Sequence, residues 1–189
     1  FIIMGNKNAI TYKEVFPLLR DNKIWIGSTS LNGGRWMIMP SNVKIQSSKA
    51  KINERGEIIV NVPGVCWYAN LDHGKRHKPL LLDTMEHNLK FNRKLINKLD
   101  DAYGKIEYPH FDCYDALEVP YVEAIPCDYD GYMGVPITFM DKYNPEQFEI
   151  IGLAAGNIKG LTGIKSNTGK DGPYINGKLI YGRIFIKRR

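Results

Sequence analysis

Residues 1–27, FIIMGNKNAITYKEVFPLLRDNKIWIG, read as strand, turn, helix, strand, the rhythm of an α/β sheet. Phe1 to Met4 are apolar and run into Gly5-Asn6, as a buried strand does where it ends in a turn. Residues 10–15 predict a helix start: Thr11 is placed to cap, Glu14 completes a capping box, and Ile10 and Val15 occupy staple positions. Tyr12, Val15, Phe16 and Leu19 then mark one helical stripe. Pro17 falls inside it and predicts a kinked or shortened helix. Residues 23–27 predict the next strand.

Further along, short strands dominate. Residues 36–39, 43–52, 57–62 and 65–69 are strand candidates, with Asn53-Glu54-Arg55-Gly56 as a hairpin turn. Residues 91–102 predict a helix with Phe91, Leu95 and Leu99 on one stripe and Gly104 as its stop. Residues 116–119, 122–125, 135–139 and 148–151 predict strands. Asn144-Pro145-Glu146-Gln147 carries an N-cap, a proline and a glutamine in the order that starts a helical turn. Residues from Gly152 on read as a glycine-rich exposed loop, closed by YINGKLIYGRIFI with a type I′ turn at Asn176-Gly177.

Charge is partitioned along this framework. Residues 1–99 carry 16 Lys/Arg against 7 Asp/Glu, residues 100–149 carry 2 against 12, and residues 150–189 carry 8 against 1. Basic flanks around an acidic middle suggest one strongly positive face, for which a nucleic acid is the natural partner; mutual pairing of the charges on folding is the alternative. The apolar runs are too short to span a bilayer, and no secretory leader is evident. Cys66, Cys113 and Cys127 are odd in number and far apart, which fits reduced thiols in a cytoplasmic protein rather than a disulfide framework or a zinc site.

No Walker loop, nucleotide-binding glycine motif, His-Glu-x-x-His or nucleophile elbow occurs. The loop Asp72-His73-Gly74-Lys75-Arg76-His77-Lys78 leaves three uses open: a metal, a phosphate or solvent. Gly74 and the run of positive charge count against the metal. Asp128-Tyr129-Asp130-Gly131 resembles the start of a calcium loop but lacks the later ligands, so a turn is expected. In the tail, Lys159, Lys165, Lys170, Lys178, Arg183, Lys187, Arg188 and Arg189 alternate with Tyr174, Tyr181 and Phe185, a mixture suited to phosphate contact and base stacking. Arg183 is expected on an aromatic strip with Leu179, Tyr181 and Phe185.

Three blocks in this order, FIIMGNKNAITYKEVFPLLRDNKIWIG, VCWYANLDHGKRH and IPCDYDGYMGVPITFMDKYNPEQFEIIG, resemble the adenine-specific DNA methyltransferases of the EcoRI type. The last is the most distinctive, with Gly134-Val135-Pro136-Ile137-Thr138-Phe139 followed by Asn144-Pro145-Glu146-Gln147-Phe148. The resemblance covers residues 1–151, and the tail fits more loosely. It implies a restriction–modification or orphan methylase, which transfers a methyl group from S-adenosylmethionine to the exocyclic amine of a flipped-out adenine in double-stranded DNA.

The resemblance also implies an architecture. Residues 1–78 would be the last strands of a class I (Rossmann-like) methyltransferase sheet with an inserted hairpin, and residues 79–189 a β-rich, DNA-contacting C-terminal part. The family's Asn-Pro-Pro-Phe tetrad and its glycine-containing cofactor motif occur nowhere in the chain, since Asn144-Pro145 is followed by Glu. The catalytic and cofactor-binding residues therefore map to no position here, and this stretch alone is expected to be inactive, with S-adenosylmethionine held elsewhere. Asn6 and Lys7 would lie near the rim of the active site. The expected nucleic-acid contacts are Asn6, Lys7, His73, Lys75, Arg76, Lys159, Lys165, Lys170, Arg183, Lys187, Arg188 and Arg189. A non-enzymatic nucleic-acid-binding module is the alternative, and the charge map alone would be enough for it.

Overall fold

The computed structural model describes residues 1–40, 42, 50–156 and 160–189. It has a mixed α/β architecture built from several small sheets. Strand β1 (Ile2–Asn6) leads into a 3-10 turn over Lys7–Thr11, where the Asn6 side chain accepts from the Asn8 amide at 2.8 Å. The first α-helix, α1, is Phe16–Arg20, with Pro17 in its first turn. The capping box expected at Thr11 and Glu14 does not form. Asn6 caps five residues earlier, and Pro17 starts the helix rather than kinking it, because a proline's missing N–H costs nothing in a first turn. Phe16 and Leu19 are buried as the stripe requires, whereas Tyr12 is exposed.

Strand β2 (Trp25–Ile26) follows. The two strands of the expected βαβ rhythm do not pair with each other. Strand β3 (Arg35–Ile38), β4 (Ala50–Ile52) and β5 (Ile58–Val62) form a separate antiparallel meander in the order β3-β5-β4, of which no described residue is fully buried. Strand β6 (Val65–Ala69) then returns between β1 and β2, antiparallel to both. The part of the expected strand at residues 43–49 lies outside the described residues.

Two helices carry the chain onward. Thr84 caps α2 (Met85–Phe91), and Asn92 caps α3 (Arg93–Tyr103), which ends at Gly104 in the left-handed region. Leu95 and Leu99 are fully buried, while Phe91 lies in α2, exposed, off the expected stripe. Next come β7 (Ala116–Glu118), β8 (Tyr132–Pro136), β9 (Phe148–Ala154), the short pair β10 (Tyr174–Ile175) and β11 (Lys178–Leu179), and β12 (Arg183–Arg188). Residues Val122–Ala124 and Ile137–Asp141 are 3-10 turns where strand was expected. Asn176 and Gly177 both have positive φ, at 50° and 74°, as a type I′ turn demands.

The four-stranded sheet runs β7-β8-β12-β9, with β12 antiparallel to both neighbours. Alternation along β12 buries both faces. Ile184 and Ile186 join a large cluster that takes in Phe16, Leu95, Phe139 and Phe148, and Phe185 joins Phe111, Tyr114 and Ile175 on the other side. Phe111 and Tyr114 meet the Phe185 ring edge-on at 5.3 and 5.1 Å. Gly134 lies between Glu118 and Phe185 in register, and a Cβ there would meet the Phe111 ring at 2.5 Å. Only a residue without a side chain lets these rings close over the sheet.

Candidate nucleic-acid interface

The charged loop after β6 folds as a 3-10 turn over Gly74–His77, and long-range contacts hold it. The Lys75 Nζ donates to Asp141 Oδ1 at 2.6 Å, and the same carboxylate oxygen accepts the Leu31 amide at 3.1 Å. Arg76 stacks on the Trp25 ring at 4.1 Å and donates to Asn22 Oδ1 at 2.8 Å. His73 donates from Nε2 to the Ile26 carbonyl at 2.9 Å, which leaves its Nδ1 buried and unpartnered. His73, Lys75 and Arg76, expected to face phosphate, are thus each engaged within the protein. No group of three or more His, Cys, Asp or Glu side chains able to hold a metal occurs among the described residues.

His77 bridges two carboxylates, Asp72 at 2.7 Å through Nε2 and Glu146 at 2.8 Å through Nδ1. Both nitrogens act as donors only in the imidazolium form. Asp72 and then Glu146 raise the His77 pKa above the ordinary histidine value. A folded-state pKa raised in this way contributes stability at lower pH, which is lost as pH rises through it. Titration of the His77 ring by NMR should therefore place its midpoint above that of a free histidine. Asp72→Asn should lower it more than Glu146→Gln does, and equal midpoints in all three proteins would refute the bridge.

Beyond His77 the Asn-Pro-Glu-Gln turn completes the attachment. Asn144 Oδ1 accepts the Glu146 amide at 2.8 Å, and the Asn144 carbonyl accepts the Phe148 amide at 3.0 Å, closing one turn as expected. Gln147 holds Leu80 through both of its peptide groups, accepting from its amide and donating to its carbonyl, each at 2.8 Å. The sequence assigns no role to Asp141, and none to Gln147 beyond its turn. The glutamine was visible as the third residue of the turn, but its partner 67 residues away was not.

The basic tail divides into inward and outward groups. Arg183 makes a paired contact with Glu118, from Nη2 to Oε1 at 2.7 Å and from Nε to Oε2 at 3.0 Å, and Glu118 is fully buried. The expected aromatic strip does not form, because residues 180–182 separate β11 from β12 and Phe185 is buried on the inner side. Arg188 donates to the Cys127 carbonyl, and the Arg189 amide donates to the Gln147 carbonyl at 3.0 Å. Lys165, Lys170 and Lys187 are exposed, the last with its Nζ 5.9 Å from the Tyr132 ring centre. Lys159 lies outside the described residues. At the other end, Lys7 is half-buried and Asn6 is occupied as a cap.

Burial also shifts groups that carry no exposed charge. Tyr103, beside the Glu118–Arg183 pair, is pushed up to about 12, chiefly by desolvation. A cavity of about 460 Å³ lies against the open face of the β1-β6-β2 sheet, walled by Ile2, Trp67 and Leu71. Asp72 is its one carboxylate, already committed to His77 and Arg76.

The chain belongs to the family described as adenine-specific methyltransferase EcoRI, whose model matches residues 1–189. It is 39% identical to the type II methyltransferase M.EcoRI of Escherichia coli over 190 residues, covering all of this chain and 50% of that protein. It is 33% identical to the type II methyltransferase M.MpnI of Mycoplasma pneumoniae, covering 56% of it, and 32% identical to M.MgeORF184P of Mycoplasma genitalium, covering 57%. The chain thus spans about half the length of the curated relatives it matches. No solved structure gives a significant match. Among the described residues no helix is long and apolar enough to cross a membrane.

Proposed function

We propose that this chain is the C-terminal part of an S-adenosylmethionine-dependent adenine-N6 DNA methyltransferase of a restriction–modification system, and that it serves in binding the target DNA. The observation that carries the reading is the exposed edge of β1. Only β6 pairs with it among the described residues, and Phe1, Ile2 and Ile3 are 60%, 59% and 57% exposed. An apolar strand with one free edge is a liability unless another strand covers it. In this reading the catalytic strand of the methyltransferase sheet lies there. The placement of β1 and β2 on either side of an antiparallel β6 supports the end of such a sheet.

The described residues do not fit the cofactor. The cavity beside β1 has no free carboxylate for a ribose, and the turn after β1 is a capped 3-10 turn rather than a glycine-rich loop. No step is therefore derived through S-adenosylmethionine, whose chemistry would be to supply the methyl group. In this proposal it is held by residues outside the chain, as is the amine-gripping tetrad. Lys7, Lys165, Lys170 and Lys187 remain the expected phosphate contacts with side chains free of ion pairs among the described residues. Incubation of the full-length protein with methyl-labelled S-adenosylmethionine and duplex DNA should give label in N6-methyladenine after digestion to nucleosides. Label in cytosine, in protein only, or nowhere would refute the reading.

A further inference from the structure

Residues 78–84 carry the most solvent-exposed large hydrophobic side chain described in the protein, Leu81, at 95%. Its backbone neighbours are fixed. Leu80 is held at both peptide groups by Gln147, and the Asp83 carbonyl accepts the Cys127 amide at 2.8 Å before Thr84 caps α2. An apolar side chain clamped into water on both sides gains nothing from burial within this chain. Leu81 stands where two cavities of about 360 and 370 Å³ meet, and a third of about 310 Å³ adjoins both through Glu123 and through Asp141 and Lys142. With these walls in common, the three are taken together as one groove.

The walls of that groove carry both signs of charge, but the carboxylates Asp83, Glu123 and Asp141 are each held by a partner, His87, Lys142 and Lys75. Lys75 and Lys142 are paired with Asp141 and Glu123, but Lys78 and Lys94 make no ion pair among the described residues. The Lys94 Nζ is held 4.0 Å from the Tyr121 ring centre, facing the third cavity. Helix α3 is charged against its own dipole, with Arg93 and Lys94 in its first turn and Asp100 and Asp101 towards its end. That arrangement is unfavourable unless negative charge arrives at the N-terminus. Asn88, only 4% exposed, lines the first cavity beside the cap of α3, and its Nδ2 lacks a partner although the Tyr108 hydroxyl is near.

We propose that this groove is a duplex-DNA cleft in which Lys78 and Lys94 neutralise phosphates and Leu81 enters between base pairs as an apolar wedge. The inference rests on the DNA methyltransferase reading and adds to it a site that the tail lysines do not provide. Wedges of this kind partly unstack a step and kink the duplex, a distortion well matched to an enzyme that extrudes a base.

The test uses the full-length protein and a mixed-sequence duplex. Anisotropy titrations across a salt series should show the Lys78→Gln/Lys94→Gln double variant binding roughly tenfold more weakly, with a log–log salt slope shallower by about 2. Leu81→Cys in a Cys127→Ser background, labelled with bimane, should be quenched by stacked bases on duplex addition, and the same label at Arg55→Cys should not. Both results are required. An unchanged slope or an unquenched Leu81 label, in a protein that still binds duplex and transfers methyl groups, overturns the cleft and leaves the methyltransferase reading intact. Preference for polyglutamate over duplex overturns it in favour of an acidic protein partner. Absence of both duplex binding and methyl transfer in the unaltered protein removes the underlying reading and the cleft with it.

Discussion

Arg183→Ala should lower the stability of the fold by about 3–5 kcal/mol, the usual cost of breaking a buried ion pair from one side. Glu118 is fully buried and Arg183 is nearly so, with a side chain 13% exposed. Removing the guanidinium leaves a carboxylate with no counter-charge between β7 and β12. Burial already raises the Glu118 pKa against the opposing pull of Arg183. A carboxyl raised in the folded state favours folding at low pH and loses that contribution as pH rises through its pKa. The penalty of Arg183→Ala should therefore be larger at neutral pH than in mild acid. Urea denaturation at two pH values reads both effects, and a small or pH-independent penalty would show that the pair is not desolvated. A matched apolar pair at both positions should recover most of the loss.

Phe185→Ala should be of similar size, about 3–5 kcal/mol, as for other large-to-small changes at fully buried aromatics. The ring is the centre of the smaller cluster, touching Phe111 and Tyr114 edge-on, and few neighbours are available to collapse into the space. That cluster includes Ile175 of β10, so the loss should be felt in the β10–β11 hairpin. Urea denaturation gives the magnitude. Faster trypsin cleavage at Lys170 and Lys178 in the variant would place the loosening in that region, and uniform cleavage along the chain would argue against a local effect.

Sequence legibility followed the range of the forces involved. The Asn176-Gly177 turn was readable because two successive positive φ values leave few residue choices. Helix α3 was readable from Leu95, Leu99 and Gly104, all local signals. The first helix was misplaced because Thr11 and Glu14 form a plausible box, while Asn6 offered a competing cap that periodicity does not reveal. Residues 122–125 begin and end on the strand formers Val122 and Ile125 but lie between Pro120 and Pro126, and the short span turns instead. The strands of the β1, helix, β2 rhythm do share one sheet and run the same way, but they are not neighbours, because β6, 65 residues into the chain, lies between them.

The site was less legible than the fold, for the same reason. A lysine in sequence looks free, and its carboxylate partner is invisible when far away. Lys75 finds Asp141 across 66 residues and Arg183 finds Glu118 across 65. The acidic middle segment that composition set apart is therefore in part the counter-charge of the basic flanks. The alternative of mutual pairing holds for these residues, and the positive face must be sought among the lysines it leaves over. Family membership was legible from the Gly134–Phe139 and Asn144–Phe148 blocks, and both are largely buried framework around β8 and β9, with Glu146 exposed.

The position of β12 has a consequence for synthesis. Strands β8 and β9 do not pair with each other but are joined through residues 183–188. A nascent chain emerging from the ribosome in order can assemble the β1-β6-β2 sheet and helices α2 and α3 as it goes. Its four-stranded sheet stays a β7-β8 pair with β9 apart until residues 183–188 have been made. A chain that lacked residues 183–188 would leave that pair and β9 unjoined with their apolar faces bare, a substrate for proteases rather than a folded protein.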